Sequence, residues 1–218
     1  MNNIGYLFAA LACASLACEA KPTSLTCPEI NDDLTIIKKL APDAVIRLSN
    51  HKLRVTTKNG TTTFTDSPPY DEPLSGVHYH LCDHQNGFIL VGMEDETRST
   101  GKLINEQTGA VTNAGFHVLI SNDGRAYFSA VQPDGLDGEE WNIYTISGQL
   151  SWNGYSFIPQ KNDPHRFYAT LDHPSWLDSG EFTATASCAS NYSIKWTVKL
   201  IKINEEWSWH PLKKCPPL

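Results

Sequence analysis

The chain has 218 residues and a formal net charge of −7 at pH 7. An acidic surface argues against nucleic acid and anionic membranes as partners, whereas it permits a basic protein partner. The length suffices for one domain with a full core. We therefore expect residues 21–218 to form a single domain.

The first twenty residues are typical of a secretory signal. An apolar run from Ile4 to Ala17 is too short for a membrane span and is followed by small residues. We assign residues 1–20 to a signal peptide and expect a periplasmic or secreted protein. A lipoprotein interpretation would instead attach a lipid anchor at Cys18. No later stretch is long and apolar enough to span a bilayer.

Export would place the remaining cysteines in a compartment where disulfides persist. These four cysteines allow three pairings. The chain contains no Cys-x-x-Cys motif, which argues against a zinc ribbon or a thioredoxin site. We prefer the two pairings that close shorter loops than the alternatives, namely Cys27–Cys82 and Cys188–Cys215.

One short helix is predicted at Ile30–Leu40, with Asn31 or Asp32 as the N-cap and Pro42 after its end. Beyond it, short β-branched and aromatic segments follow one another: AVIRLS, KLRVTT, TTTFT, VHYHLC, FILVGM, FHVLIS, RAYFSAV, WNIYTI, RFYATL, EFTATAS and IKWTVKLIKI. Turn signals separate them: Asn59-Gly60, Asn86-Gly87, Thr108-Gly109, Asp123-Gly124, Ser147-Gly148 and Asn153-Gly154. This pattern predicts an all-β protein, either a sandwich, a barrel or a propeller.

A repeat favours a propeller among these architectures. Gly109 aligns with Gly148 and Asp123 with Asp163, which gives a period of about forty residues. Four strands in such a period are the signature of a propeller blade. The best single unit covers residues 116–152.

This unit resembles the blade repeat of TolB-type, WD40-like propellers. Those repeats contain an S-x-D-G turn, an aromatic-rich strand, an acidic loop, an x-I-Y strand and a T/S-G turn. The matching positions are Ser121–Gly124, with Asn122 in place of the usual Pro, then Tyr127-Phe128, Ile143-Tyr144 and Ser147-Gly148. The resemblance covers about half of the chain and implies about four to five short blades, with an incomplete or sandwich-like arrangement as the structural alternative. It specifies a piece of fold and no function.

The stretch GVHYHLCDH, residues 76–84, has the composition of a metal site. Strand alternation would place His78, His80, Cys82 and His84 on one face, and imidazoles with a thiol suit Zn²⁺ or Cu²⁺. A disulfide would remove Cys82, and the turn signal that follows takes His84 out of the strand register. We therefore expect solvent-facing histidines, no metal and no other cofactor. A metal-binding protein or metal-dependent enzyme that uses His78 and His80 is the alternative.

The acidic loop Pro133–Trp141 is the candidate partner-binding site. Its members are Asp134, Asp137, Glu139, Glu140 and Trp141. The carboxylates can steer a basic partner, and Trp141 can supply an apolar anchor. Because Trp141 also begins the segment WNIYTI, a core position is the alternative for this residue. The loop lacks the EF-hand pattern, so we favour a solvated turn over a calcium site.

Tryptophans also cluster towards the C-terminus, at Trp152, Trp176, Trp196, Trp207 and Trp209. Stacked aromatic rings can bind sugars or a partner, although filling the core is the favoured role in a chain so rich in strands.

Catalytic motifs of the G-x-S-x-G, H-E-x-x-H and Walker types are absent, so we do not expect an enzyme. Export, acidity and a rigid β scaffold instead favour a protein that binds another protein. The specific hypothesis is an immunity or inhibitor protein that neutralises an antibacterial effector, a toxin or a lytic enzyme.

Overall fold

The computed structural model describes residues 22–28, 33–70, 76–95, 98–133, 138–160 and 163–217, and the predicted signal peptide lies outside them. The described part contains one helix, α1 (Asp33–Leu40), within the predicted helical range. The strands are β1 (Ser24–Thr26), β2 (Val45–Ser49), β3 (Lys52–Thr57), β4 (Gly60–Thr65), β5 (His78–Gln85), β6 (Phe88–Glu94), β7 (Arg98–Asn105), β8 (Val111–Ala114), β9 (His117–Ile120), β10 (Ala126–Pro133), β11 (Glu140–Thr145), β12 (Leu150–Tyr155), β13 (Phe157–Gln160), β14 (Asp163–Trp176), β15 (Phe182–Cys188), β16 (Asn191–Ile203) and β17 (Glu206–His210). The predicted all-β class is confirmed.

The strands form two sheets. A small sheet has the order β2-β3-β4. The large sheet runs β17-β16-β15-β14-β13-β12-β11-β10-β7-β6-β5, with β8 beside β7, β9 beside β10, and β1 beside β9. Every pairing between these strands is antiparallel, so short turns suffice for most connections.

The predicted unit 116–152 does form four consecutive antiparallel strands, β9 to β12. Its hydrogen bonding does not stop at the unit's edges, however. Strand β12 continues into β13 through the pair Tyr155 and Phe157, and Gln132 of β10 pairs with Ser99 of β7. Separate propeller blades are therefore not seen among the described strands, which instead form a continuous curved sheet that approaches a closed barrel.

One predicted turn is wrong. The dipeptide Asn153-Gly154 lies inside β12, whereas Gly60, Gly87 and Gly124 of the other predicted turns have the positive φ angles that such turns require. The Cβ of any other residue at position 154 would lie 2.4 Å from Cζ2 of Trp152. The glycine therefore makes room for an indole ring and does not turn the chain.

An aromatic cluster fills the barrel formed by the C-terminal strands. Phe128 contacts Trp141 edge to face at 5.2 Å between centroids and stacks on Phe182 at 5.0 Å. Trp209 closes the cluster against both Trp141 and Phe182. Large aromatic rings bury much apolar surface per residue, so this cluster contributes strongly to the stability of the barrel.

The N-terminal half has its own core, in which α1 covers the small sheet and β5. Ile37 is the buried residue of the helix, and it packs with Val45, Leu53 and Leu81. Asp33 in the first helical turn accepts a hydrogen bond from the backbone N–H of Leu81 at 3.0 Å and pairs with Arg47. The helix ends before Ala41-Pro42, because proline disfavours helical geometry in the residue before it.

The two preferred disulfides are present, Cys27–Cys82 and Cys188–Cys215. The first joins the segment after β1 to β5, and the second joins the C-terminal tail to the end of β15. Such pairs fit an oxidising compartment.

His84 lies within β5, opposite Ile89, so the expectation that it leaves the strand is wrong. It links the end of α1 to the large sheet. Its Nδ1 lies 2.8 Å from the carbonyl oxygen of Leu40, and its Nε2 lies 2.8 Å from Oε2 of Glu106. Both partners only accept hydrogen bonds, so the contacts are complete when the ring carries both protons. Burial lowers the pKa of His84, but the hydrogen bonds to Leu40 and Glu106 outweigh burial and raise it above its usual value.

Removing either disulfide should destabilise the protein without unfolding it. Cys188→Ala with Cys215→Ala opens a loop with a sequence separation of 27. Chain entropy then lowers the free energy of unfolding by about 3.5 kcal/mol. Cys27→Ala with Cys82→Ala opens a separation of 55 and costs about 4 kcal/mol. Urea unfolding measures both, and a free thiol in the non-reduced wild type would contradict the pairing.

The link through His84 should make stability depend on pH. Because the folded pKa is raised, its contribution to the free energy of unfolding is full below about pH 6.5 and is lost as pH rises through the raised pKa. Urea unfolding from about pH 6 to 9 should show wild type converging on His84→Gln. Glu106→Gln keeps an acceptor but removes the charge, so it should weaken this trend. Parallel pH profiles for wild type and His84→Gln would refute the role of the imidazolium.

Candidate partner-binding site

The acidic loop predicted from the sequence is described only at its end. Asp134 and Asp137 lie outside the described residues. Glu139 is exposed, and Glu140 begins β11 and is partly buried. Their carboxylates accept hydrogen bonds from neighbours two residues on, Glu139 from the indole of Trp141 at 2.9 Å and Glu140 from the amide of Asn142 at 3.1 Å.

Trp141 is not an exposed anchor. Its side chain is 1% exposed and belongs to the aromatic cluster of the barrel. The alternative role in the core therefore holds, because Trp141 shares a strand face with Ile143. Any apolar anchor for a partner must come from another residue.

Exposed aromatic residues occur instead along a groove between β12 and β17, which we call the seam groove. The groove has a volume of about 310 Å³. Its walls carry no charged side chain and consist of Trp152, Asn153, Gly154, Tyr155, Phe157, Pro159, Leu200, Trp207 and Trp209.

Stacking fixes the aromatic rings of the seam groove. The rings of Tyr155 and Phe157 are stacked in nearly parallel planes, with centroids 5.2 Å apart and planes inclined by 8°. Trp152 meets Trp209 edge to face at 5.8 Å, and the indole N–H of Trp207 donates to the carbonyl oxygen of Ser151 at 3.1 Å. Tyr155 is 50% exposed and Trp207 is 41% exposed. These rings are rigid and accessible together, which is the property that interface anchors need.

The acidic residues and the seam groove lie side by side. Glu140 is directly opposite Tyr155 in the β11–β12 ladder. Ser156, between Tyr155 and Phe157, exchanges hydrogen bonds with Glu139: the Glu139 N–H donates to Oγ at 3.0 Å, and the Ser156 N–H donates to the Glu139 carbonyl at 2.8 Å. The surface thus combines uncharged aromatic walls with a carboxylate rim.

The sequence singled out the carboxylates of the rim, whereas it favoured a core role for the tryptophans of the aromatic walls. Trp152 and Trp207 were interpreted as core residues, which is correct only for the partly buried Trp152. Tyr155 and Phe157 were not singled out. The signal available was the motif Tyr155-x-Phe157, in which two large rings flank a small polar residue.

The two histidines of the alternative hypothesis lie in different environments. His78 is half-exposed, and its Nδ1 lies 2.9 Å from Oδ2 of Asp66. His80 is 1% exposed, so the expectation of a solvent-facing ring is wrong for this residue. Burial, and then the nearby His78, lower the pKa of His80 to about 4, which keeps the ring neutral at physiological pH.

Asp66 organises the histidine region as a buried acceptor. Besides its contact with His78, its Oδ1 accepts the backbone N–H of Tyr79 at 2.9 Å, and His51 Nδ1 lies 3.7 Å from Oδ2. Among the described residues, the one set of three potential ligand atoms within 4.8 Å of one another comprises Cys27, His80 and Cys82. The two sulfurs of that set are bonded to each other, so they are not available as thiolate ligands.

Comparison of the chain with protein-family models, with curated proteins and with solved structures gives no match. The likeness of residues 116–152 to a propeller blade therefore stays a prediction. No helix in the described part of the chain is long and apolar enough to cross a membrane.

The burial of His80 predicts that the two histidines respond differently to truncation. His80→Ala should lower the free energy of unfolding by about 2 kcal/mol or more, because it leaves a cavity beside the disulfide. His78→Ala should cost less than about 1 kcal/mol, because its ring is half-exposed. Chemical denaturation measures both variants. Elemental analysis of the purified wild type tests the alternative, since stoichiometric zinc or copper that disappears in His78→Ala would establish a metal site.

Proposed function

We propose that this is an exported, non-enzymatic protein that binds another protein through the seam groove and its carboxylate rim. The observation that carries the proposal is a groove lined by the exposed rings of Tyr155 and Trp207, with Glu140 directly opposite Tyr155 in the ladder. Interface hot spots favour exposed aromatic anchors surrounded by polar residues.

Charge supports a basic partner. The chain carries −7 at pH 7, and the rim adds carboxylates beside walls that contain no charged side chain. Carboxylates at a rim accelerate encounter with a positively charged surface, whereas buried aromatic contacts slow dissociation. The rim thus accelerates association with the partner, and the groove slows its dissociation.

We further infer that the partner is an antibacterial effector, a toxin or a lytic enzyme, which the protein neutralises in the periplasm or outside the cell. The apolar leader and the two disulfides support action in an oxidising compartment. A pre-organised surface on a disulfide-linked barrel suits an inhibitor, because little conformational entropy is lost on binding.

Tyr155→Ala should weaken partner binding mainly through faster dissociation. The expected cost is about 2 kcal/mol, which is about a thirtyfold rise in Kd, because the exposed ring is the central anchor. The partner is first captured from the native cell with the mature protein as bait and identified, and surface plasmon resonance then gives the rate constants.

Tyr192→Ala is the matched control for this measurement. Tyr192 is 62% exposed on β16 and does not line the seam groove, so its truncation should leave both rate constants unchanged. Equal affinities for wild type and Tyr155→Ala would move the binding site away from the seam groove.

A further inference from the structure

We propose that the seam groove accepts an extended segment of the partner as an added β-strand between β12 and β17. This inference rests on the proposed function and specifies the chemistry of that same site. It follows from where the backbone hydrogen-bonding groups of the two strands point, and from the side chains that line the space between them.

Strand β17 presents unpaired backbone groups to the groove. The hairpin between β16 and β17 turns at Asn204 and Glu205, whose φ angles of 49° and 69° match a two-residue type I′ turn. In such a hairpin the flanking pair Ile203 and Glu206 is hydrogen-bonded, and the pairs then alternate along the ladder. The N–H and C=O groups of Trp207 and Trp209 therefore point away from β16.

Strand β12 is the opposite wall, and it also has an open edge. On one side it pairs with β11 over most of its length. On the other side, among the described strands, its one ladder partner is Phe157, opposite Tyr155. No ladder joins β12 to β17, and the two are bridged by the indole of Trp207 and the carbonyl oxygen of Ser151. An unpaired strand edge is a template for an added strand.

Side chains around the groove favour one kind of strand. Trp152, Trp209 and Leu200 provide apolar contacts for residues that point into the groove. The neighbouring charges outside it include Glu140 and the exposed Glu206, whereas the nearby Lys202 forms an ion pair with Glu205. Because successive residues of a strand face opposite sides, the fitting segment alternates apolar and basic residues.

Two substitutions at one position test the backbone contact. Trp207→Ala and Trp207→Pro both remove the indole, but only the proline removes the N–H that faces the groove. Neither breaks a hydrogen bond to β16, because Trp207 is at a non-hydrogen-bonded position of that ladder. Thermal unfolding of both variants establishes that they are folded before binding is compared.

The probe is a phage-displayed library of random heptapeptides panned against the mature protein, with the enriched peptides then synthesised. We expect alternating apolar and basic sequences, with Kd for Trp207→Pro about tenfold higher than for Trp207→Ala. Hydrogen exchange at the amides of Trp207 and Trp209 should slow when peptide is bound. N-methylation of the peptide at alternate backbone positions should weaken binding in both phases, because successive N–H groups of a strand between β12 and β17 point to the two walls in turn. This measurement tests strand addition even where Trp207→Pro fails to fold.

Several results would overturn the inference. The first is that no peptide is enriched. The second is equal binding to the alanine and proline variants together with binding that N-methylation leaves unchanged. The third is dimerisation of the wild type that Trp207→Pro abolishes and that excludes peptide. The last result would mean that a second copy of this chain occupies the seam. If the captured partner responds to Tyr155→Ala but strand addition fails these tests, the proposed function stands without it. If neither Tyr155→Ala nor Trp207→Pro weakens binding of the partner, the proposed function and the strand addition are both wrong.

Discussion

The aromatic cluster around Trp141 determines how the C-terminal strands close. Trp141 of β11 contacts Phe128 of β10, Phe182 of β15 and Trp209 of β17, so one side chain joins strands that are distant along the sheet. Burial of these rings stabilises the approach of β17 to β10 and β11. Closure is thus achieved by side chains, and no ladder joins β12 to β17. The seam groove is the consequence of this mode of closure.

The N-terminal half depends on polar contacts that fix β5 on both sides. Asp33 and Asp66 accept the backbone N–H groups of Leu81 and Tyr79, while Cys82 is bonded to Cys27. These carboxylates satisfy backbone donors at positions where the ladder alone does not, and leaving such donors unpaired in the interior would cost free energy. On the same strand, His80 lies beside the disulfide and His84 holds the end of the helix.

Local features of the sequence predicted the local features of the structure. The helix, most strands, most glycine turns and both disulfides follow from residue type and spacing, because they depend on few neighbours. The repeat at residues 116–152 likewise predicted four adjacent strands. Whether those strands end in a separate blade depends on long-range pairing, such as Gln132 with Ser99, and no local pattern encodes that choice. The same limit applies to His80, whose burial depends on the packing of Cys82 and Phe116 around it.

At the candidate site, two neighbouring strands show that local sequence patterns do not decide which aromatic residue is buried. Trp141 and Tyr155 are both large aromatics near the acidic loop, and only the face of the sheet on which each lies decides which is core and which is surface. Gly154 lies next to Tyr155 in β12 and contributes to both the core and the surface. It pairs with Trp141 across the ladder, and its missing side chain lets the Trp152 indole lie over the backbone. A larger residue there would displace that indole from the wall of the seam groove. The glycine that the sequence suggested as a turn is therefore required for the shape of the seam groove.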